Sequence, residues 1–340
     1  MKHRPTSFDI AYEAGVSQST VSRALRDSPL VNPETRKKIK DIAKKLNYKV
    51  DKNASNLRSQ TSGTLALLLF EDPTNDDSMI NPFFLSMLGS ITRAAAKHGY
   101  DLLVSFQQLS DDWHAEYEDS HKADGLILLG YGDYLEYEGK LLKLIEQDTH
   151  FVRFGAVLEQ QPGVSIGCDN YRGGFDMTRH LIGLGRRHFA FLGGASAASP
   201  EFQERFQGMT SALAQAGLDA SNIPQIDAIS TEEAGYEAAN QLLDRQMKLD
   251  AINCASDLIA IGAIRALNER GLRVPEDVAV VGFDDIPMAS FVNPPLTTVK
   301  QNTRLAGEVL VETLLNLIRG EVPQTTRLPA NLVIRKSCGA

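Results

Sequence analysis

From Thr64 onward the chain alternates short apolar runs with stretches of amphipathic helical length, and this rhythm narrows the possible folds more than any other feature. The apolar runs fall at 64–70, 100–105, 125–130, 150–154, 164–168, 188–192, 251–254 and 278–282. Helical stretches lie among them at 82–98, 173–184, 200–216, 231–245, 257–270 and 303–318. Strands that alternate with helices of this length form βαβ units, and those units form parallel sheets. The strands are too many for one small sheet and carry no short repeat, so an α/β body of two doubly wound halves is expected. Such halves bind ligands at the carboxyl ends of their strands, and a two-lobed body does so in its cleft.

Several residues at those strand ends suit a small polar ligand. Asn81-Pro82-Phe83-Phe84 opens a helix, while Asp169-Asn170, Ser256-Asp257 and Asp284-Asp285 each follow a strand, and Arg205 lies inside a helix. Aromatic rings pack on apolar carbon faces, and Asp and Arg take paired hydroxyls in bidentate fashion, which is the chemistry a sugar needs. Each residue also has a structural reading. Phe83 and Phe84 suit a core, Asp169 and Asp257 suit helix N-caps, Asp284 can start a turn, and Arg205 can pair with Glu201 or Glu204.

Residues 1–60 are of another kind. They hold thirteen Lys/Arg and six Asp/Glu, a net of +7 in a chain of overall charge −8, so the remainder carries −15. A basic head on an acidic body points to two partners, and a positive surface attracts phosphate backbones. Thr6 and Asp9 have capping-box spacing, and Gly15 can end the helix they start. Ser17 can cap a second helix through Leu25, and Asn32 before Pro33 marks a third. Two short helices about a Gly-containing turn form the helix-turn-helix plan, whose second helix enters the major groove. On that plan Gln18 and Ser19 meet base edges, Arg23 reaches a guanine, and Thr20 and Ser22 meet phosphates. Thr6, Ser17 and Asn32, at the helix starts, complete the expected DNA-facing set. The alternative is a three-helix bundle with a solvated basic face.

Other classes find little support. The longest apolar run, 65–70, is far short of a membrane span, and no apolar h-region follows the basic start. Cys168, Cys254 and Cys338 are odd in number and far apart, which fits buried thiols in a cytoplasmic protein. No Walker A loop, G-x-S-x-G elbow, G-x-G-x-x-G after the first strand or clustered metal ligands occur. Neither an enzyme, a metal nor a cofactor is expected.

The string Ala14-Gly15-Val16-Ser17-x-x-Thr20-Val21-Ser22-Arg23-x-Leu25, with Val31-Asn32-x-Glu34-Thr35-Arg36 and Leu46-Asn47-Tyr48, resembles the head of the lactose/galactose-repressor family of bacterial regulators. NPFF, DN before Arg172-Gly173-Gly174, LIGLGRRHFAFLGG, ER-x-x-G at 204–208, ASD-x-x-A-x-G-A at 255–263, VGFDD and LTTV-x-Q at 296–301 are similar to the family's effector domain. The likeness spans about residues 6–336. It implies a headpiece over 1–50, a hinge helix over 51–62 and a periplasmic-binding-protein-like body over 63–340. Within the body it implies an N-subdomain of about 63–166 plus 300–326 and a C-subdomain of about 167–299 plus 327–340.

The resemblance also implies roles. The hinge would fold on DNA, with Ala54, Leu57 and Arg58 at the minor groove and Leu57 wedged between base pairs. Phe83, Asp169, Arg205, Asn253, Ser256, Asp284 and Gln301 would face the ligand, with Phe84 beside them. There are departures from the pattern. Ser55-Asn56 replace a common Arg-Ser, Ser256 stands where sugar-binding members have Asn, and Asn253 stands where an aromatic is frequent. Gly155-Ala156 are small where purine-binding members carry bulk, which favours a sugar. The segment 70–81, with Glu71, Asp72, Asp76 and Asp77, is long, and 107–122 is polar for the helix expected there.

The expected protein is a cytoplasmic regulator, most simply a repressor of carbohydrate-utilisation genes. It would bind a pseudo-palindromic operator in double-stranded DNA as a homodimer, and a mono- or disaccharide or its phosphate would control it. No leucine heptad follows the last strand, so no tetramerising helix is expected. The alternatives are a co-repressor-dependent or activating regulator that binds a sugar or nucleoside, or a solute-binding protein.

Overall fold

The computed structural model describes residues 5–48, 61–70, 80–130, 134–158 and 161–340. The chain forms two compact units that meet between Ser62 and Gly63. The expected hinge residues Ala54, Leu57 and Arg58, and the acidic residues Glu71, Asp72, Asp76 and Asp77, lie outside the described residues.

The head has three helices, α1 (Ser7–Ala14), α2 (Gln18–Leu25) and α3 (Pro33–Lys45). Thr6 and Asp9 form the complete capping box, and Gly15 closes α1 at φ 70°. Ser17 accepts from the Thr20 amide and Asn32 from the Glu34 amide, so each expected N-cap caps its helix. Ile10, Val21, Ala24 and Ile39 are wholly buried between the three helices.

The body has two six-stranded sheets. In the first, β1 (Thr64–Leu69), β2 (Asp101–Phe106), β3 (Leu126–Leu129), β4 (Phe151–Phe154), β5 (Val164–Cys168) and β11 (Thr326–Leu328) are ordered β11-β5-β4-β3-β1-β2, all parallel. In the second, β6 (Phe189–Leu192), β7 (Gln225–Ile226), β8 (Ala251–Cys254), β9 (Ala279–Asp284), β10 (Thr297–Gln301) and β12 (Ala330–Val333) are ordered β12-β10-β9-β8-β6-β7. Only the β10–β12 pair is antiparallel. Each sheet reverses its strand order once, between β1 and β3 and between β6 and β8, and that reversal opens a crevice at the strand ends.

Helices cover both sheets: α4 (Pro82–Lys97), α5 (Tyr134–Glu146), α6 (Asn170–Gly183), α7 (Pro200–Gln215), α8 (Glu232–Asp244), α9 (Asp257–Glu269) and α10 (Thr303–Ile318). Two of these differ from the expectation. Helix α5 was not evident in the sequence, and α6 starts at Asn170, three residues ahead of the expected 173. The helix expected across 107–122 is replaced by a 3-10 turn, Gln107–Leu109, and a single π-helical segment, His114–Asp119. Trp113 and Tyr117 still reach the core, so this polar segment buries two aromatics without a full amphipathic face.

The chain passes between the lobes three times. The expected exchange points, 166/167, 299/300 and 326/327, each fall inside a strand, two residues or fewer before its end. The crossings are single residues, Asp169 between β5 and α6, Asn302 between β10 and α10, and Pro329 between β11 and β12.

Candidate effector site and DNA-facing surface

The second lobe gathers a polar cluster at its strand ends. Strand β9 continues past its expected end at 282 to Asp284, whose φ is 122°. A non-glycine residue in such a conformation costs about 1–3 kcal/mol, a strain that concentrates at functional sites. Gln301, at the end of β10, donates from Nε2 to Asp284 Oδ1 at 2.7 Å. Arg205 Nη1 lies 3.9 Å from the same oxygen.

Arg205 is wholly buried. Its Nε donates to Asn170 Oδ1 at 2.9 Å, and its Nη1 donates to the Ala255 carbonyl. The guanidinium carbon lies 3.8 Å from the Phe283 ring centroid, within cation–π range. The arginine is thus fixed from α6, β9 and the end of β8 before any ligand arrives. Its carboxylate partner is Asp284 rather than Glu201 or Glu204. Glu204 instead accepts from Asn170 Nδ2 at 3.3 Å.

Burial pushes the Asp284 carboxyl up to about 6, while the Arg205 guanidinium and the Gln301 amide pull the other way. Burial also raises Asp257 well above the usual carboxylate range, and neighbouring Asp284 adds to it. Asp257 works inside the fold. It accepts from Thr298 Oγ1 at 2.5 Å and from the Ile286 amide at 2.9 Å, and so secures the turn after Asp284.

A second polar chain links the lobes. Asn81 caps α4 through the Phe83 amide and donates from Nδ2 to Ser230 Oγ at 3.2 Å. Ser230 donates to Ser256 Oγ at 2.9 Å, and Ser256 caps α9. Phe83 and Phe84 are enclosed in the core of the first lobe. Their rings meet edge-on at 5.3 Å, and Phe83 lies 5.8 Å from Phe154.

The structure brings Arg205, Asp284 and Gln301 together and sets Ser256 at the end of the interlobe chain. Asp169 serves as the α6 N-cap, accepting from the Arg172 amide at 2.9 Å. Asn253 is wholly buried and donates to Thr178 Oγ1, in the third turn of α6, at 2.7 Å. Sequence reasoning named Asn170 beside Asp169 at a strand end without giving it a role, and passed over Arg153, a charge inside an otherwise apolar strand.

On the head, Ser19 and Arg23 are exposed on α2, and Gln18 donates to Ser7 Oγ at 3.2 Å. Ser22 accepts from Arg26 Nη2 at 3.0 Å. Thr20 Oγ1 lies 2.9 Å from Ser17 Oγ. Thr6, Ser17 and Asn32 are engaged as caps. Ser19 Oγ also lies 2.8 Å from Ser17 Oγ, so Arg23 is the residue left most open to a base edge. Among the described residues, no group of His, Cys, Asp and Glu could hold a metal ion, and no helix is long and apolar enough to cross a membrane.

Comparison with known proteins agrees with this architecture. Residues 8–51 match the profile of bacterial regulatory proteins of the lacI family, and residues 178–338 match a periplasmic binding protein-like domain. The HTH-type transcriptional regulator CelR of Thermobifida fusca is 32% identical over 99% of both chains. The lac repressor dimer bound to operator and the anti-inducer ONPF superposes with a TM-score of 0.85 at 27% identity, over 99% of this chain and 100% of that one. A CelR–cellobiose complex superposes with a TM-score of 0.71 at 32% identity, over 98% and 100% of the two chains.

Proposed function

Because the chain belongs to the lacI family of bacterial regulatory proteins, and so is a DNA-binding transcriptional regulator with an effector domain rather than an enzyme, we propose that its effector is a small sugar. The observation that carries this reading is the Arg205–Asp284–Gln301 cluster, a buried donor, acceptor and amide converging at the strand ends of one lobe. Paired hydroxyls satisfy such a set. CelR, captured with cellobiose, is the relative that supports the same class. The protein acts as a cytoplasmic homodimer that represses carbohydrate-utilisation genes from a pseudo-palindromic operator.

Thermal-shift screening of a mono- and disaccharide panel tests the ligand class. A hit raises the melting temperature of the wild type and leaves Asp284→Ala unmoved; a panel without hits rejects the class.

The binding is also expected to depend on pH. The Asp284 carboxyl is held near 6 in the fold, against roughly 3.9 in an unfolded chain. Its neutral form therefore favours the fold fully below about 4, and that contribution disappears as pH rises through 6. Sugar binding runs the other way, since the ionised form accepts hydroxyls. Affinity should fall about tenfold between pH 7.5 and 5, as the competent fraction shrinks. Calorimetric titrations of Asp284→Asn should show weak binding with no such slope.

For the operator, Leu57→Ala is expected to weaken binding while leaving sugar affinity unchanged, and equal operator affinity in the two proteins rejects the wedge. Gel-shift titrations over a salt series should show a log–log slope of roughly −0.9 per phosphate neutralised.

A further inference from the structure

The turn after β9 holds two left-handed residues in succession, Asp284 at φ 122° and Asp285 at φ 57°. Side chains other than glycine's crowd the backbone in that region, so such a turn keeps its shape only where its surroundings hold it. Ile286, one residue on, is held through its amide by Asp257. Asp285 has a separate holder, which comes from beyond the last strand.

Strand β12 pairs with β10 as far as Val333, opposite Thr298, and Arg335 follows two residues later. The Arg335 amide donates to Thr297 Oγ1 at 2.8 Å. Its guanidinium reaches two further places at once. Nη1 donates to the Leu296 carbonyl at 2.8 Å, and Nη2 donates to Asp285 Oδ1 at 2.6 Å. The side chains of this ion pair are sheltered, at 19% and 11% exposure. A planar fork fixes the angle between its two acceptors, which the point charge of a lysine does not. Lys300 also lies 3.7 Å from Asp285 Oδ2, but it is more than half exposed, and an exposed pair of this kind holds weakly.

The effect falls on the neighbouring residue. Asp284 Oδ1 accepts from Gln301 at 2.7 Å and lies 3.9 Å from Arg205 Nη1 only while the backbone keeps this turn. If Asp285 relaxes to negative φ, the peptide between the two residues rotates and the Asp284 carboxylate swings off both partners.

We propose that Arg335 is a positioning residue of the effector site: by clasping Asp285 against the start of β10, it keeps the turn left-handed and the Asp284 carboxylate aimed at Arg205 and the effector. Its part in sugar binding rests on the sugar reading above; its hold on Asp284 does not.

The test has two readouts on the full-length protein. The first is the Asp284 titration followed by carboxyl-carbon NMR without ligand, with Asp284→Asn identifying the resonance. Arg205 and Gln301 favour the ionised carboxyl, so Arg335→Gln should raise its midpoint from near 6 by at least about one pH unit. The second is calorimetry with glucose, galactose, cellobiose and lactose, where any sugar that binds wild type at pH 7.5 should bind Arg335→Gln about tenfold more weakly. Arg335→Lys should behave likewise, and it replaces Arg335→Gln if melting curves show that variant unfolded. Asp285→Gly in the Arg335→Gln background should bring the midpoint and the affinity back to within about threefold of wild type, because glycine adopts positive φ without steric cost. Asp285→Ala in the same background removes the same charge without that freedom and should recover neither. If the Arg335 variants melt lower but keep the wild-type midpoint and affinity, or if Asp285→Gly recovers no more than Asp285→Ala, the positioning role is overturned. If no sugar binds wild type, the sugar reading falls, and the titration alone decides the role of Arg335.

Discussion

Replacing Arg205 with alanine should abolish any sugar-induced thermal shift and lower the melting temperature of the free protein by roughly 10 °C. The side chain is wholly buried and holds Asn170, the Ala255 carbonyl and Asp284 at once. Removing one member of a buried pair costs about 3–5 kcal/mol when the other stays charged. Here the loss should fall near the lower end. Asp284 sits close to 6 already, so losing its cation lets it take up a proton at modest cost, about 1.4 kcal/mol per unit of pH. Arg205→Ala combined with Asp284→Asn should therefore recover part of the stability and none of the sugar response. A double variant as unstable as the single one would reject the coupling.

The second large effect is expected at Gly208. Helices α6 and α7 cross there with no room for a side chain. A Cβ on Gly208 would lie 2.1 Å from the Tyr171 carbonyl oxygen and 2.7 Å from the Phe175 amide nitrogen. Gly174 faces the Arg205 carbonyl oxygen at 2.1 Å in the same way. The obstacles are main-chain atoms of helices, which cannot swing aside as a side-chain tip can. Gly208→Ala should cost at least about 3 kcal/mol, the upper part of the overpacking range, and should weaken sugar binding by parting Asn170 from Arg205. Gly183→Ala is the control. It lies at the end of α6 with nothing within 4 Å, so alanine there should be neutral or stabilising by up to about 1 kcal/mol. Chemical denaturation of the two variants decides the matter, and similar midpoints would show that the helices can part freely.

Much of this was legible in the chain. The alternation after Thr64 carried the two parallel sheets because a buried parallel strand is apolar on both faces, a local signature. Thr6, Ser17 and Asn32 marked their helices because a cap acts within three residues. Strand β10 escaped notice because Thr297, Thr298 and Gln301 are polar yet buried, satisfied by partners such as Ser337 and Asp257 distant in sequence. The same limit explains the site. Arg205 and Asp284 could be named one by one, but their meeting depends on how α7 and β9 pack. Asn253 meets the same limit: its partner, Thr178, lies 75 residues away on a neighbouring helix.

The three crossings between the lobes carry a mechanical consequence. Any opening or closing must be absorbed by the dihedrals of Asp169, Asn302 and Pro329. Asp169 and Asn302 are tied as helix N-caps, and the Asp169 amide donates to the Leu328 carbonyl beside the third crossing at 2.9 Å. Proline fixes its own φ. Three short pivots so restrained form a stiff door hinge rather than a flexible tether.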